Sequence, residues 1–345
     1  MRNNNTKKSL VVLALALTAG AFAQNHPMQQ VLPPTDANAQ IDESLMSLPN
    51  LTGGYSLPVA QKAKADSNKI AGYNPANGTV TIAKGSNLLT TFGRPLSAKG
   101  ELGSVAKVDA GRDELSLLAD QVGIQTIFGA DNRTRINPTT SYPWTTVCKI
   151  YMRFPDGSNW IGSGVMVNRK YMLTAGHCVY SAANGGWASQ IRVVPAQNGA
   201  YAPYGSAYAT YMRTYVGWTR DRNFDHDLAL VTLDRNIGTS TGWLGYAALS
   251  SINGMTVNTA GYPGDRDGGA NMYFTSGTIA SSSTYSYRTY MDIKGGQSGS
   301  GVWRLLNGNR HVIGVVSWES PSINGGPRIT SSRFTDITNW INSGF

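Results

Sequence analysis

Glutamate is nearly missing from the last two-thirds of this 345-residue sequence: from Thr126 onward Glu319 stands alone beside 10 aspartates and 18 lysines and arginines. Charged residues make up 14% of the chain, well below the usual share of about 25%, a balance that suits an exported protein better than a cytosolic one. The net charge of +9 is scattered. No basic run is long enough to grip a phosphate backbone, so nucleic acid is not an expected partner; the scatter suits a solvated surface, which also favours acidic substrates. No apolar run past the N-terminal residues reaches the roughly 20 positions that a membrane-spanning helix needs. Residues 24–125 hold no cysteine, no tryptophan and one histidine, His26. Asp265-Arg-Asp267-Gly-Gly269 offers two carboxylates without the further ligands of a calcium loop. It reads as a turn, and neither a metal nor a cofactor is expected.

The first residues read as an export signal. Arg2, Lys7 and Lys8 form a positive start, Leu10 to Ala19 an apolar centre, and Ala21-Phe22-Ala23 a small-x-small cleavage site. The expectation is a signal peptide at 1–23 and a secreted, monomeric product. Residues 24–125 are polar and interrupted by Pro33, Pro34, Pro49, Pro58, Pro75 and Pro95. Within them Thr79-Val-Thr-Ile82 reads as a short strand, and Glu114 to Asp120 has helical spacing. The segment reads as a propeptide removed on maturation, with a small independent domain as the alternative. An exported chain allows Cys148 and Cys178 to pair. That bridge would close a loop of about 30 residues and stabilise by roughly 3–4 kcal/mol; two separate buried thiols are the other reading.

From Tyr142 the texture changes to short apolar runs split by Gly, Asn, Ser and Pro. Residues 147–154 alternate as a strand does and run into a Pro-Asp-Gly turn. Further strands are expected at 160–167, 171–174, 191–194, 207–215, 228–233, 256–260, 272–280, 288–293, 301–305 and 312–318. So many short strands make an all-β sandwich or barrels. At the far end Phe334, Ile337, Trp340 and Ile341 fall on one helical face, with Ser331 or Ser332 as N-cap.

The chemistry gathers in three stretches. In Asp292-Ile-Lys-Gly-Gly-Gln-Ser-Gly-Ser300, Ser298 has Gly296 two residues before it and Gly299 directly after. Glycines there let the backbone turn sharply and aim the Gly296 and Ser298 amides at one point, as an oxyanion hole requires. A serine hydroxyl is a poor nucleophile unless a base takes its proton, and the base needs an orienting acceptor. His177 in Leu173-Thr-Ala-Gly-His-Cys178 is the candidate base, and Asp227 in Asp225-His-Asp-Leu-Ala-Leu-Val231 the candidate orienter. Asp221 and Asp225 compete for that second role, and His226 reads as a loop histidine.

These residues resemble the chymotrypsin-fold serine proteases, and among them the bacterial glutamyl endopeptidase branch. The resemblance spans about 125–345. It rests also on Ala130-Asp-Asn-Arg-Thr-Arg-Ile136, Pro203-Tyr-Gly-Ser206, Gly261-Tyr-Pro-Gly-Asp265 and Arg328-Ile-Thr330, with His, Asp and Ser in the family's chain order. It implies a protease domain at 126–345 made of two six-stranded antiparallel β-barrels with a C-terminal helix. His177 and Asp227 would come from the first barrel and Ser298 from the second. It also implies a serine endopeptidase that hydrolyses protein or peptide substrates through an acyl-enzyme. Ser317-Trp318-Glu319 resembles the strand that pairs with the substrate backbone, although Trp318 also suits an ordinary core.

Specificity is where the sequence departs from the branch. The branch keeps a histidine in the pocket wall just before the substrate-pairing strand. Here that place falls on Val316, or on Ser317 with a slip of one residue, and His311 comes too early. Asp292 stands six residues before Ser298, where trypsin-like enzymes hold the aspartate that receives Lys or Arg. Against that, a protease that cuts after glutamate gains by nearly lacking it. Gln297 occupies the place where digestive relatives carry an aspartate for the freed amino terminus. A new terminus near Thr126 or Ile127 would act in the pocket instead, as the branch implies, its charge partly replacing the missing histidine. Cleavage after acidic residues and cleavage after Lys or Arg both stay open.

Two other classes fit less of the chain. A lipase elbow needs Gly-x-Ser-x-Gly, but Ser300 holds the fifth position and only His311 follows. A non-catalytic exported β module could use the 17 tyrosines and 8 tryptophans for carbohydrate or surface binding, yet it leaves the three stretches unexplained.

Overall fold

Backbone amides and carbonyls of short strands are satisfied only when both edges of each strand are flanked, and the chain meets that need by rolling its sheets. The computed structural model describes residues 66–83 and 127–343. The expected signal peptide, the helical spacing at 114–120 and Thr126 lie outside them. In the first half the strands are β1 (Ile70–Asn74), β2 (Thr79–Ala83), β3 (Thr134–Arg135), β4 (Val147–Arg153), β5 (Asn159–Asn168), β6 (Tyr171–Thr174), β7 (Tyr180–Ser181), β8 (Gly186–Trp187), β9 (Gln190–Pro195), β10 (Ala207–Tyr215) and β11 (Ala229–Leu233). The second half holds β12 (Gly245–Tyr246), β13 (Thr256–Gly261), β14 (Tyr273–Ser282), β15 (Ser286–Thr289), β16 (Gly301–Leu306), β17 (Asn309–Val315) and β18 (Asn324–Pro327).

β11, β6, β5, β4, β9 and β10 lie side by side, and β10 pairs back onto β11, closing a six-stranded barrel. Ile150, Met152, Met166, Met172, Val193, Met212 and Val231 fill it, none more than 1% exposed. The second unit runs β12-β17-β16-β13-β14-β15-β18, with β3 on β14. It curls without closing: β17 and β18 form no ladder, and the edges are linked through the isolated Gly314–Arg328 and Trp318–Gly325 bridges. β18 is Asn-Gly-Gly-Pro, short and ending on a residue with no amide to give. Of the two closed barrels expected, the second is therefore a half-barrel. Val147 from the first unit packs with Ala260, Tyr262 and Met272 of the second along the seam.

Most expected strands stand where the alternation put them. Two end early: β15 stops at Thr289, where Met291 turns to the Thr289 and Asn324 side chains, and β17 at Val315, where Val316 turns to the serine loop. Val316 accepts from the Gly299 amide at 2.8 Å and donates to the Ser300 carbonyl at 2.9 Å. The C-terminal helix, Ser331–Asn342, is capped by Thr330, whose side chain accepts from the Arg333 amide, one residue before the expected cap. Ile337 and Trp340 are fully buried on it, while Phe334 is 39% exposed. The expected strand at 79–82 is β2; its partner β1 had no sequence signal, and together they lie against β10. No helix among the described residues is long and apolar enough to cross a membrane.

Candidate active site

β6 and β11 are antiparallel neighbours with Thr174 opposite Ala229, so the turns that follow one strand and precede the other must face each other. His177 sits in the first turn and Asp227 ends the second. Gly176 lets them approach: a Cβ on it would lie 2.9 Å from Asp227 Oδ1. Both side chains are buried. Asp227 Oδ1 accepts from the His177 main-chain amide at 2.6 Å, and Oδ2 meets His177 Nδ1 at 2.7 Å. Ser317 Oγ donates to the same Oδ2 at 2.5 Å. Of the competitors, Asp221 receives the Arg220 guanidinium at 2.7–2.8 Å and Ser67 Oγ at 3.1 Å. Asp225 gives its carbonyl to Arg333. Burial disfavours the His177 imidazolium, but the charge and hydrogen bond of Asp227 outweigh it, and the histidine's pKa lies well above the ordinary imidazole value.

Ser298 reaches this pair from the other unit. Its carbonyl accepts from the Ser163 amide of β5 at 2.8 Å and from Cys178 Sγ, next to His177, at 3.7 Å. Gly299, at φ +86°, lies so close to Thr174, Ser163 and Ala175 that any Cβ would strike Thr174 Oγ1 and the Ser163 carbonyl. Gly296, at φ +93°, leaves no room either, since a Cβ would sit 2.5 Å from the Tyr262 carbonyl. Ser163 Oγ holds the Gly296 carbonyl at 2.8 Å and takes the Tyr262 amide at 2.9 Å. The turn is tightened by Gln297, whose Oε1 accepts from the Lys294 amide at 3.0 Å. On either side of Gln297, the Gly296 and Ser298 amides donate to no acceptor among the described residues.

The residues expected around the pocket divide. Ser317 is bound to Asp227, a role its position between Val316 and Trp318 did not signal. Trp318 is buried, and its amide and carbonyl are both paired with Gly325, while the Ser317 carbonyl accepts nothing among the described residues. Val316 packs into the core of the second unit with Ile293 and Ile313. Asp292 is fully buried and spends its carboxylate on the chain itself: Oδ1 accepts from the Phe128 amide at 2.8 Å and Oδ2 from the Asn132 amide at 2.9 Å. It ties down the segment that would follow a cut near Thr126. That segment is locked again at Arg133, whose buried guanidinium spans Asp131 and Asp265. Ser163 carried no readable signal, because its partners lie about 100 or more residues away; Arg133, Asp131 and Asp265 stand in quoted motifs, but the tie of Arg133 to Asp265 spans 132 residues.

The bridge expected between Cys148 and Cys178 is not formed; both are free, buried thiols. Cys148 stands opposite Gly164 on β5 and turns to the Thr146 carbonyl. Cys178 faces Gly162, where an added Cβ would lie 3.2 Å from its Sγ. The position across from Cys178 thus belongs to a glycine and not to Cys148. Asp265 and Asp267 point into ion-pair and hydrogen-bond partners of their own, Arg133 for the first, Asn271 and Tyr273 for the second. Among the described residues no group of three or more His, Cys, Asp or Glu gathers as a metal site would need.

The trypsin family profile matches residues 133–341. A glutamyl endopeptidase of Bacillus licheniformis is 38% identical over 231 residues, covering 64% of this chain and 70% of that protein. A Bacillus subtilis protein named as an extracellular metalloprotease is 34% identical over 236 residues, 67% of this chain and 75% of its own length. Among solved structures, a Glu endopeptidase in complex with MPD superposes with a TM-score of 0.56 at 28% identity, over 63% of this chain and 99% of that one. The protease Anisep of Arthrobacter nicotinovorans shares the fold, with a TM-score of 0.51 at 22% identity over 60% and 98% of the two chains.

Proposed function

The chain belongs to the trypsin family of serine endopeptidases, and from that premise we propose that Ser298, His177 and Asp227 carry out its peptide-bond hydrolysis. The observation that carries the assignment is the doubly bonded His177–Asp227 pair with the Ser298 turn packed against the same segment. In this reading His177 Nε2 takes the Ser298 Oγ proton as the oxygen attacks the scissile carbonyl carbon. The Gly296 and Ser298 amides receive the oxyanion, and Asp227 stabilises the imidazolium. His177 then returns the proton to the leaving amine, which departs and leaves an acyl-enzyme. Water, deprotonated by the same histidine, releases the acid and restores Ser298. The Ser317 carbonyl, left out of the pairing with Gly325, is the acceptor for the substrate's backbone amide.

For specificity the reading is cleavage after acidic residues. Two observations support it: the relative named glutamyl endopeptidase, and an Asp292 whose two oxygens already hold backbone amides and so offer little to a substrate cation. Because Asp292 anchors Phe128, a terminus freed near Thr126 or Ile127 by removal of residues 24–125 would lie beside the pocket and supply a positive charge. Export by the N-terminal signal and action outside the cell complete the reading, in keeping with the relative named as extracellular.

The test is cleavage-site mapping on a denatured mixed proteome, with the matured enzyme and its Ser298→Ala form side by side. Cuts after Glu or Asp that vanish in Ser298→Ala are the expected outcome. Serine-dependent cuts after Lys or Arg would overturn the specificity, and equal cutting by both forms would overturn the nucleophile.

A further inference from the structure

The hairpin β1–β2 lies in the stretch proposed above to be cut away, yet it is built into the first barrel. One edge of β10 is shared. β9 pairs with it at Ala207 and Tyr208 only, and further along the same edge β1 takes over, matching Ile70 to Tyr215, Ala71 to Thr214, Gly72 to Arg213 and Tyr73 to Met212. Those four β10 residues are at most 2% exposed. Without β1 their backbone groups on that side would be a bare sheet edge over a buried core. Ile70, Ala71 and Val80 are themselves buried, at 3–6% exposure, and join the two large apolar clusters of the molecule.

The contacts continue toward the His177–Asp227 pair from two sides. Ahead of β1, the Lys69 carbonyl accepts from the Val216 amide at 2.7 Å and the Ser67 carbonyl from the Gly217 amide at 2.9 Å, while Ser67 Oγ reaches Asp221. Residues 216–221 begin the loop that ends at Asp227, and Trp218 within it lies 6.1 Å from the His177 ring. On the other side Tyr73 stacks on Trp187 at 5.4 Å and 9°. Trp187 packs edge-on against Tyr180, whose carbonyl receives Trp218 Nε1 at 3.0 Å. None of these contacts covers Ser298, so the hairpin supports the site without plugging it.

We propose that the β10 edge is a docking site for residues 66–83 of the same chain, and that the hairpin stays on it as a noncovalent strand pair after the chain is opened between it and residue 127. Strand addition supplies the backbone bonds, and Ile70, Ala71, Val80 and Tyr73 supply the apolar anchor. Retained there, the hairpin is a positioning element for the loop that carries Asp227.

This rests on the maturation cut proposed above, and the experiment separates the two. The full Ser298→Ala chain is nicked within residues 84–126, once by the wild-type enzyme and once by an unrelated protease of broad specificity. Native size-exclusion chromatography with intact-mass detection then reads which fragments travel together. The fragment holding 66–83 is expected to co-elute in equal amount with the protease domain, whichever enzyme made the cut. Gly72→Val, whose Cβ would sit 2.5 Å from Tyr211 Oη, is expected to release it. Should that chain not fold, Tyr73→Ala, which removes the stack on Trp187 but leaves the β1 backbone pairing in place, is expected to lose part of the fragment on the column. Hydrogen exchange at the Val216 and Gly217 amides should stay slow in the nicked complex and quicken when the fragment is stripped. A domain that elutes alone after the unrelated protease has cut, with those two amides still protected, overturns the proposal. If the wild-type enzyme makes no cut, the chain nicked by the unrelated protease alone decides between these outcomes.

Discussion

His177 is held by Asp227 in a way that leaves a kinetic signature. The proposed mechanism needs the neutral imidazole, and the carboxylate raises the histidine's pKa above the ordinary value, which is about 6.5. The rising limb of kcat/KM against pH is therefore expected above that value. Asp227→Asn should shift the limb toward acid while lowering kcat by about 10⁴-fold; a limb that stays in place would remove Asp227 as the cause. Asp292 gives the second residue-scale prediction. Asp292→Ala leaves the Phe128 and Asn132 amides without their acceptor and should cost about 2 kcal/mol in denaturant unfolding, with cleavage weakened for all substrates. Selective loss of cutting after Lys or Arg would instead make it the pocket base. Ser298, His177 and Asp227 could be singled out as candidates because each sits in a local motif. The tie from Ser317 to Asp227 could not, since it joins residues 90 apart in the chain.

At the scale of elements, short apolar or alternating runs bounded by turn residues located β4, β5, β6 and β10 well, because each is a strand of the first barrel with most of its residues buried or half-buried. They misplaced the ends of β15 and β17, where the backbone turns its hydrogen bonds over to side chains and to the serine loop respectively. They gave no hint of β1, whose Ile-Ala-Gly-Tyr-Asn has too few side chains to show a period. Pairing of the cysteines was argued from compartment and number alone, whereas the structure leaves both free and buried. Two thiols are thus expected per chain, inert to a thiol reagent until denaturant is added and unchanged in number by prior reduction. Burial also pushes the Cys148 thiol's pKa up, which slows its reaction further. A protein that shows no thiol until it is reduced would restore the bridge.

The whole molecule joins its parts through a buried polar cluster beneath the C-terminal helix, and acid should reveal it. His226 lies between Tyr215 and Tyr285; burial and the neighbouring Arg333 charge, against the weaker pull of Asp221, lower its pKa to about 4. Asp336, bonded to Tyr215, is raised by burial to about 6 despite that bond and the Arg333 charge. The two act in opposite directions over one pH window. Neutral His226 contributes stability above pH ~6.5 that is lost as pH falls toward ~4, whereas the cost of ionised Asp336 is felt above pH ~6 and relieved on the same descent, each by roughly 3 kcal/mol. Wild type should therefore change little between pH 6.5 and 4, Asp336→Asn should lose stability on acidification, and His226→Gln should gain it. Thermal melts across that range check all three; parallel curves would sink the assignment. Sequence alone determined the class of fold and singled out the proposed reacting residues, because strand alternation and a short motif around each candidate group are properties of neighbours in the chain. Tertiary structure alone decided that the second barrel stays open, that Asp292 holds the chain's own amides, that the cysteines do not meet, and that a hairpin from the leading segment completes a sheet. Each of these depends on which distant backbone groups and surfaces come to lie side by side, and local sequence carries no record of that.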